Sequence, residues 1–456
     1  MDALTRLAAF AVDTRLADVA AAPRARLPQV LADCIACAGA GMQTMPLQRL
    51  IAMHLKGSDS AGAAVIGGRR RAAPLDAAFL NATAGVWDDY DEGSLEANGH
   101  PGIQLVPAAL AWAEAHHASG AALLSAMIVG YEVAARIGRA ARIKVIVHPH
   151  GTFGTVGAAV AIGRLEGLDA TTMRVAINIA AALANASNRN TLRDAATVRN
   201  AFAGHANYAG QLAVRLAQCG FTGERDAVSN TFGTILGEGF DLDSVDRDLG
   251  SDWLSGRGYF KVHANGRFIH SAVDALEDAL AQINVATLPA DDVRHVTVRT
   301  FHYAARLDNA AVQSAFGARF SVPFAMATRI IHPTAGLDAF SERAVVDPAI
   351  IRLTQRVTVI EEPAWTLAYP DKQISEVRLE LSSGTIVGRC EVMKGEPTRP
   401  HSPNDIEAKF KSLAVPIWGN KGAETLLARC LDISECADVA AFSRDVQLSG
   451  PAELTQ

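Results

Sequence analysis

From the N-terminus to about residue 265, apolar residues recur every three and four positions, and their side chains are unusually small. GTFGTVGAAVAIGRLEG (151–167), AINIAAALANAS (176–187) and AFAGHANYAGQLAVRLAQ (201–218) are mostly Ala and Gly. That spacing predicts amphipathic helices, and the Gly, Pro, Asp and Asn between them predict their ends. Helices coated with Ala and Gly approach one another closely, so a dense helical bundle is expected.

The period changes near residue 266. DDVRHVTVRTF (291–301) alternates, and ISEVRLELSSGTIVGRCEV (374–392) is two alternating runs joined by Ser-Ser-Gly, a hairpin signal. Between them VQSAFGARFSVPFAMATRII (312–331) predicts one helix. After Pro403 the helical period returns, with Ser402 or Asn404 as N-cap. The last ~50 residues are marginal as an independent core, so they are expected to rejoin the first helices. The predicted fold is therefore mainly α: a large all-α helical domain, residues 1–266 and 403–456, with an inserted smaller α+β lid domain, residues 267–402.

Composition narrows the function. With 42 basic against 48 acidic residues the net charge is −6, so no basic footprint for nucleic acid exists. The longest apolar runs, such as 121–131 and 175–183, stop short of the ~20 residues of a membrane span. The N-terminus lacks the basic start and continuous apolar stretch of a signal peptide. Six cysteines in 456 residues then predict reduced thiols and a cytoplasmic protein. Cys34 and Cys37 form a C-x-x-C, but within the apolar helical pattern LADCIACAGAGM and with no second pair nearby, so core packing is expected. Neither a dinucleotide fingerprint nor a P-loop is present: Gly151, Gly154 and Gly157 recur every third residue and follow no clear strand. No G-x-S-x-G nucleophile motif occurs.

Four clusters can carry chemistry. WDDYDEGSLEANGHPG (87–102) crowds Asp88, Asp89, Asp91, Glu92 and Glu96 before His100. It reads as a solvated acidic loop, a metal ligand set or a catalytic loop, and the adjacent His-Pro-Gly favours a site. VHPHGTFGTVG (147–157) places His148 and His150 around Pro149 before a Gly/Thr-rich helix start, which suits a carboxylate and an acid–base His. LRDAATVRNAFAGHANYAG (192–210) holds Arg193, Arg199 and His205; taken alone it reads as an ordinary surface helix. GRGYFKVHANGRFIHSAVDAL (256–276) gathers Lys261, His263, Arg267 and His270 where the helical section ends, a place where ligands are often held. Together these predict proton chemistry on a small anionic acid without a cofactor or metal. Lys261, Arg267 and Arg199 would hold carboxylates; His100, His148 and Asp89 would move protons.

These segments, in this order, resemble the MmgE/PrpD family, which includes 2-methylcitrate dehydratases, cis-aconitate decarboxylases and iminodisuccinate epimerase. The resemblance covers nearly the whole chain. It rests on LADCIACAGAG, DDYDEG followed by GHPG, HPHGTFGTVGAA, the G-x-A-x-x-x-G segment 204–210 and K-x-H-x-x-G-R-F-x-H (261–270). It implies a helical domain formed by both chain ends plus a smaller α+β lid, a homodimer, and work without a cofactor. By motif, Asp89, His100, His148 and Lys261 match the family's site residues, and Tyr303 in TFHYAARLDN is similar to its site tyrosine. Arg199, Arg267 and His150 are expected to contact substrate. Two positions depart: Arg199 stands where dehydratases and decarboxylases often carry Lys, and Gly93 where they often carry Thr. The resemblance implies proton abstraction α to a carboxylate of a small di- or tricarboxylic acid. A hydro-lyase of the 2-methylcitrate dehydratase type is the expected outcome, with epimerisation or decarboxylation as alternatives. A non-catalytic carboxylate-binding protein is the reading from another class. No nucleic-acid or membrane partner is expected.

Overall fold

The computed structural model describes residues 2–56 and 62–448. The chain is mainly α, with a smaller α+β part, as the period analysis predicts. Helices Ala21–Met42, Pro74–Gly85, Pro101–Ala115, Gly120–Ala140, Phe153–Leu165 and Ala201–Gln218 build the core. Their packing follows from the small side chains. A Cβ on Gly157 would stand 2.9 Å from both the Gly130 carbonyl oxygen and the Ala134 Cβ, so the helix Phe153–Leu165 lies directly on Gly120–Ala140. Cys34 and Cys37 are both buried in this core, and burial pushes their thiols up.

Gly120–Ala140 is long and apolar enough to cross a membrane by length and composition, more than its apolar run alone indicates. Its most apolar window is 89% buried among the other helices, which is the behaviour of a core helix.

The predicted strands form. Val293–Thr300 pairs antiparallel with Ser375–Leu381, which continues through the hairpin into Gly384–Cys390, closing at Leu381↔Gly384. A fourth strand that the alternation does not reveal, Val357–Glu361, pairs parallel on the edge; its side chains are half-buried or exposed, so no core face marks it. Helix 312–331 is a correction: it is two helices, Ala315–Ala318 and Val322–Ile331. Ser321 starts the second by accepting from the Phe324 amide, and Pro323 occupies its first turn. Small two-stranded ribbons also interrupt the helical part, such as Ala141–Ile143 with Gly237–Phe240. Helix Pro403–Leu431 begins at Ser402 with a full capping box to Asp405. It packs on Ala21–Met42, where the Lys409 ammonium donates to Asp33. The C-terminal helix therefore returns to the first bundle.

Candidate active site

The acidic loop is not solvated. Each of its acids meets a cation or imidazole, all but one of them from a distant segment: Asp88 with Arg319 at 2.6 Å, Glu92 with Arg26 at 2.6 Å, Glu96 with Arg257 at 3.0 Å, and Asp91 with His100 at 3.0 Å. Asp89 is the most heavily used. The Lys261 ammonium donates to its Oδ2 at 3.0 Å and to its backbone oxygen at 2.9 Å, and the Arg199 guanidinium donates to its Oδ1. The residue takes a left-handed backbone, φ +48°, which Asp tolerates better than most side chains and which turns its carboxylate toward both cations. Burial pulls that carboxyl up, but Lys261, Arg199 and then His100 outweigh it, so Asp89 is an anion.

His100 caps the helix Pro101–Ala115. Its Nδ1 lies 2.7 Å from the Glu92 carbonyl oxygen, which can only accept, so Nδ1 carries the proton. The same nitrogen is 3.0 Å from Asp91 Oδ2. No described residue hydrogen-bonds its Nε2, and the ring lines the cavity.

His148 is arranged the other way. Its Nδ1 accepts from the His150 amide at 3.1 Å, and Arg199 Nε sits 3.3 Å from its Nε2. A neutral imidazole has one N–H, so both nitrogens cannot accept at once. Ser187 Oγ shares its hydroxyl between the His148 and His150 carbonyls, at 3.0 and 2.5 Å, and holds the turn. Two donors therefore face a ring with one lone pair, and the charged Arg199 donor is the stronger of them. Burial, with Arg199 and Arg189, pushes the His148 ring well below its ordinary value, so it is neutral.

Asp89, His100, His148, Arg199, Lys261, Arg267 and Tyr303 all line one cavity of about 520 Å³. Its walls come from residues 89–199 and 259–373. Two expectations are corrected. Arg199 does not lie on a surface helix; it is 2% exposed in a turn before the buried helix Ala201–Gln218. His150 does not line the cavity; its ring is fully buried behind it, edge-on to His100 (4.9 Å) and His148 (4.7 Å), because the pinned turn aims it inward. Arg193 and His205, from the same segment as Arg199, part company: the first lines the mouth and is exposed, while the second is not in the cavity.

Sequence reasoning missed Arg189, Tyr259, Phe268, Arg306 and Tyr369. Tyr259 had a signal: two residues before Lys261 in extended chain, it shares that side chain's direction. It also accounts for Gly93. The two residues pair backbone to backbone, and a Cβ on Gly93 would lie 2.4 Å from Tyr259 Oη. The phenol fills the space a side chain at position 93 needs.

Asp91, His100 and His150 bring one ligand atom each within 4.8 Å of one another, and both His150 nitrogens lack a hydrogen-bond partner. Of the three only His100 lines the cavity; Asp91 and His150 lie buried behind it. The Lys261 charge acts on the same carboxylate, which opposes a divalent cation there.

The neutral buried imidazoles have a consequence for stability. Burial holds His148, His150 and His270 well below 6.5 and His401 at about 4. In the unfolded chain each binds a proton below about 6.5, whereas the folded chain does not, so stability is lost as pH falls from there. Each ring contributes at most about 1.4 kcal/mol per pH unit. Asp33, Glu114 and Glu396, raised by burial, act in the opposite sense at lower pH. The melting temperature is expected to hold from pH 8 to 6.5 and to fall between 6.5 and about 5. His150→Phe, which keeps a packed ring, should flatten that fall. A constant melting temperature down to pH 5 would show that these rings titrate in the folded protein.

Two family models match this architecture end to end: the MmgE/PrpD N-terminal domain over residues 5–237 and the MmgE/PrpD C-terminal domain over residues 263–433. The chain belongs to the MmgE/PrpD family. Similar proteins include a cis-aconitate decarboxylase of Mus musculus, 26% identical, covering 84% of this chain and 80% of the relative. Another, from Aspergillus terreus, is 23% identical and covers 91% of this chain and 90% of the relative. The Homo sapiens cis-aconitate decarboxylase is 24% identical over 84% of this chain and 82% of its own length. Within this MmgE/PrpD chain the N-terminal model carries the acidic loop, His100, His148 and Arg199. Lys261 lies two residues before the C-terminal model begins, so the cavity takes residues from either side of that boundary.

Proposed function

We propose that this MmgE/PrpD protein is a lyase that moves a proton at the carbon α to a carboxylate of a small di- or tricarboxylic acid. One observation carries this reading: in one cavity the His100 and His148 rings flank two cations, Lys261 and Arg199, that a single aspartate holds in place. His100 Nε2 takes the α-proton. The electron pair left behind spreads onto the substrate carboxylate, where Lys261 and Arg199 stabilise it. The His148 ring, neutral in the free protein, lies beside Arg199. The anionic substrate offsets Arg199 and Arg189, which restores affinity for protons to the ring.

For the outcome, loss of a β-hydroxyl as water, as in a 2-methylcitrate dehydratase, follows the expectation from sequence. The relatives' names favour a second reading, in which a carboxylate leaves as carbon dioxide and the carbanion is reprotonated. Return of the proton to the opposite face, an epimerisation, uses the same groups. We further propose that the protein acts as a homodimer, which sedimentation would test.

Incubation in deuterated water with citrate-, aconitate- and aspartate-like acids separates these outcomes by NMR. Deuterium should enter the α-carbon of at least one acid or its product, and should still do so after EDTA. No exchange and no product with any acid would overturn the proposal. Loss on chelation, restored by one metal, would instead make Asp91, His100 and His150 ligands.

A further inference from the structure

The cations of this cavity fall into two groups. Lys261 and Arg199 share the Asp89 carboxylate, and Arg267 lies 3.6 Å from Glu396 and 4.1 Å above the Tyr259 ring. Arg189, Arg193 and Arg306 line the same cavity and form no ion pair or side-chain hydrogen bond with any described residue. Arg189 is the telling member. It is partly buried, and burial pulls its guanidinium below its ordinary value, yet no carboxylate of a described residue meets it. Its contacts are aromatic: its charge sits 6.0 Å above Phe268, which stacks on Tyr303 at 5.6 Å, and Tyr303 packs on Tyr369 at 4.8 Å. Desolvating a cation without a counterion is unfavourable, so the anion it needs comes from outside the chain.

Arg189 is also fixed relative to the chemistry. Its amide donates to Ile146 at 2.7 Å, Asn188 pairs with Val147, and the His148 amide donates to Ser187 at 2.9 Å. One short ladder thus sets the distance between Arg189 and His148.

Resting on the reading of a carboxylate substrate, we propose that Arg189 and the Phe268–Tyr303–Tyr369 wall form a second anion subsite, which holds a carboxylate remote from the reacting carbon. Arg189 then sets the reach between carboxylates that the site accepts, and a short dicarboxylate does not span it. The aromatic faces take its carbon segment and exclude water, which strengthens the Arg189 contact. The cavity, about 520 Å³, has room for a ligand of that size.

Calorimetric titration with tricarballylate and with succinate tests this in the full chain. Neither probe has a leaving hydroxyl or a double bond. Wild type should bind tricarballylate more tightly. Arg189→Gln should weaken tricarballylate about 10- to 100-fold, the range for a hydrogen bond to a charged group, and succinate less than about threefold. Arg189→Lys, which keeps the charge without the fork, should recover part of the loss. Equal loss for both probes, or none, would overturn the subsite, as would a wild type that does not prefer the tricarboxylate. A wild type that prefers it through Arg189 but exchanges no deuterium would overturn the lyase reading and leave the subsite standing.

Discussion

Replacing Asp89 with Asn is expected to destabilise the protein by about 3–5 kcal/mol, the cost of removing one partner from a buried ion pair. The side chain keeps its volume, and Asn tolerates the left-handed backbone at φ +48°, so strain is not the cause. The cause is charge: Lys261 and Arg199, 1% and 2% exposed, lose the anion they share. At about 2.1 cal/mol/K per residue, a chain of 456 residues unfolding as one unit should melt about 3–5 °C lower. Activity should fall with it, because both cations are then free to turn from the cavity. An Asn variant that melts with the wild type would show that water or another acid neutralises the pair.

Removing a cation from the chemistry itself should have the largest kinetic effect. Lys261→Met retains the aliphatic stem and leaves Asp89 paired with Arg199, so the fold is expected to hold. Without the ammonium at the developing negative charge, kcat/KM should fall about 10²- to 10³-fold, as for the loss of one oxyanion donor. His100→Gln should lower kcat strongly with little change in KM, because Nε2 acts on the proton and not on binding. The His148→Gln variant keeps an acceptor for Arg199 and should lose less. Steady-state kinetics on whichever acid exchanges deuterium, run beside a melting curve, decides both cases. Near-normal kcat in His100→Gln would remove that ring as the base.

Much of the molecule could be read from short stretches. The Ala/Gly helices, the hairpin at Ser-Ser-Gly and the Ser402 cap depend on residues within a turn or two of one another, and their signals lie in that same span. Two elements depart from that reading. Val357–Glu361 sits on a sheet edge with little buried, so no alternation marks it. The stretch 312–331 has a continuous helical period, but Ser321 and Pro323 start a second helix inside it.

The site divides along the same line. Sequence by itself determined which side chains are present and, through short motifs, that Asp89, His100, His148 and Lys261 belong to one family pattern. It also determined the helical class in which they sit. Only tertiary structure decided what each one meets. Asp89 finds Arg199 and Lys261 across 110 and 172 residues of chain. Arg199 is buried, Arg193 is exposed and Arg189 finds no counterion among the described residues, although all three look alike in a polar stretch. His148 faces the cavity and His150, two residues on, faces away, because Ser187 pins the turn. Periodicity is a local property of the backbone, whereas burial and pairing of a charge depend on which distant segment crosses it.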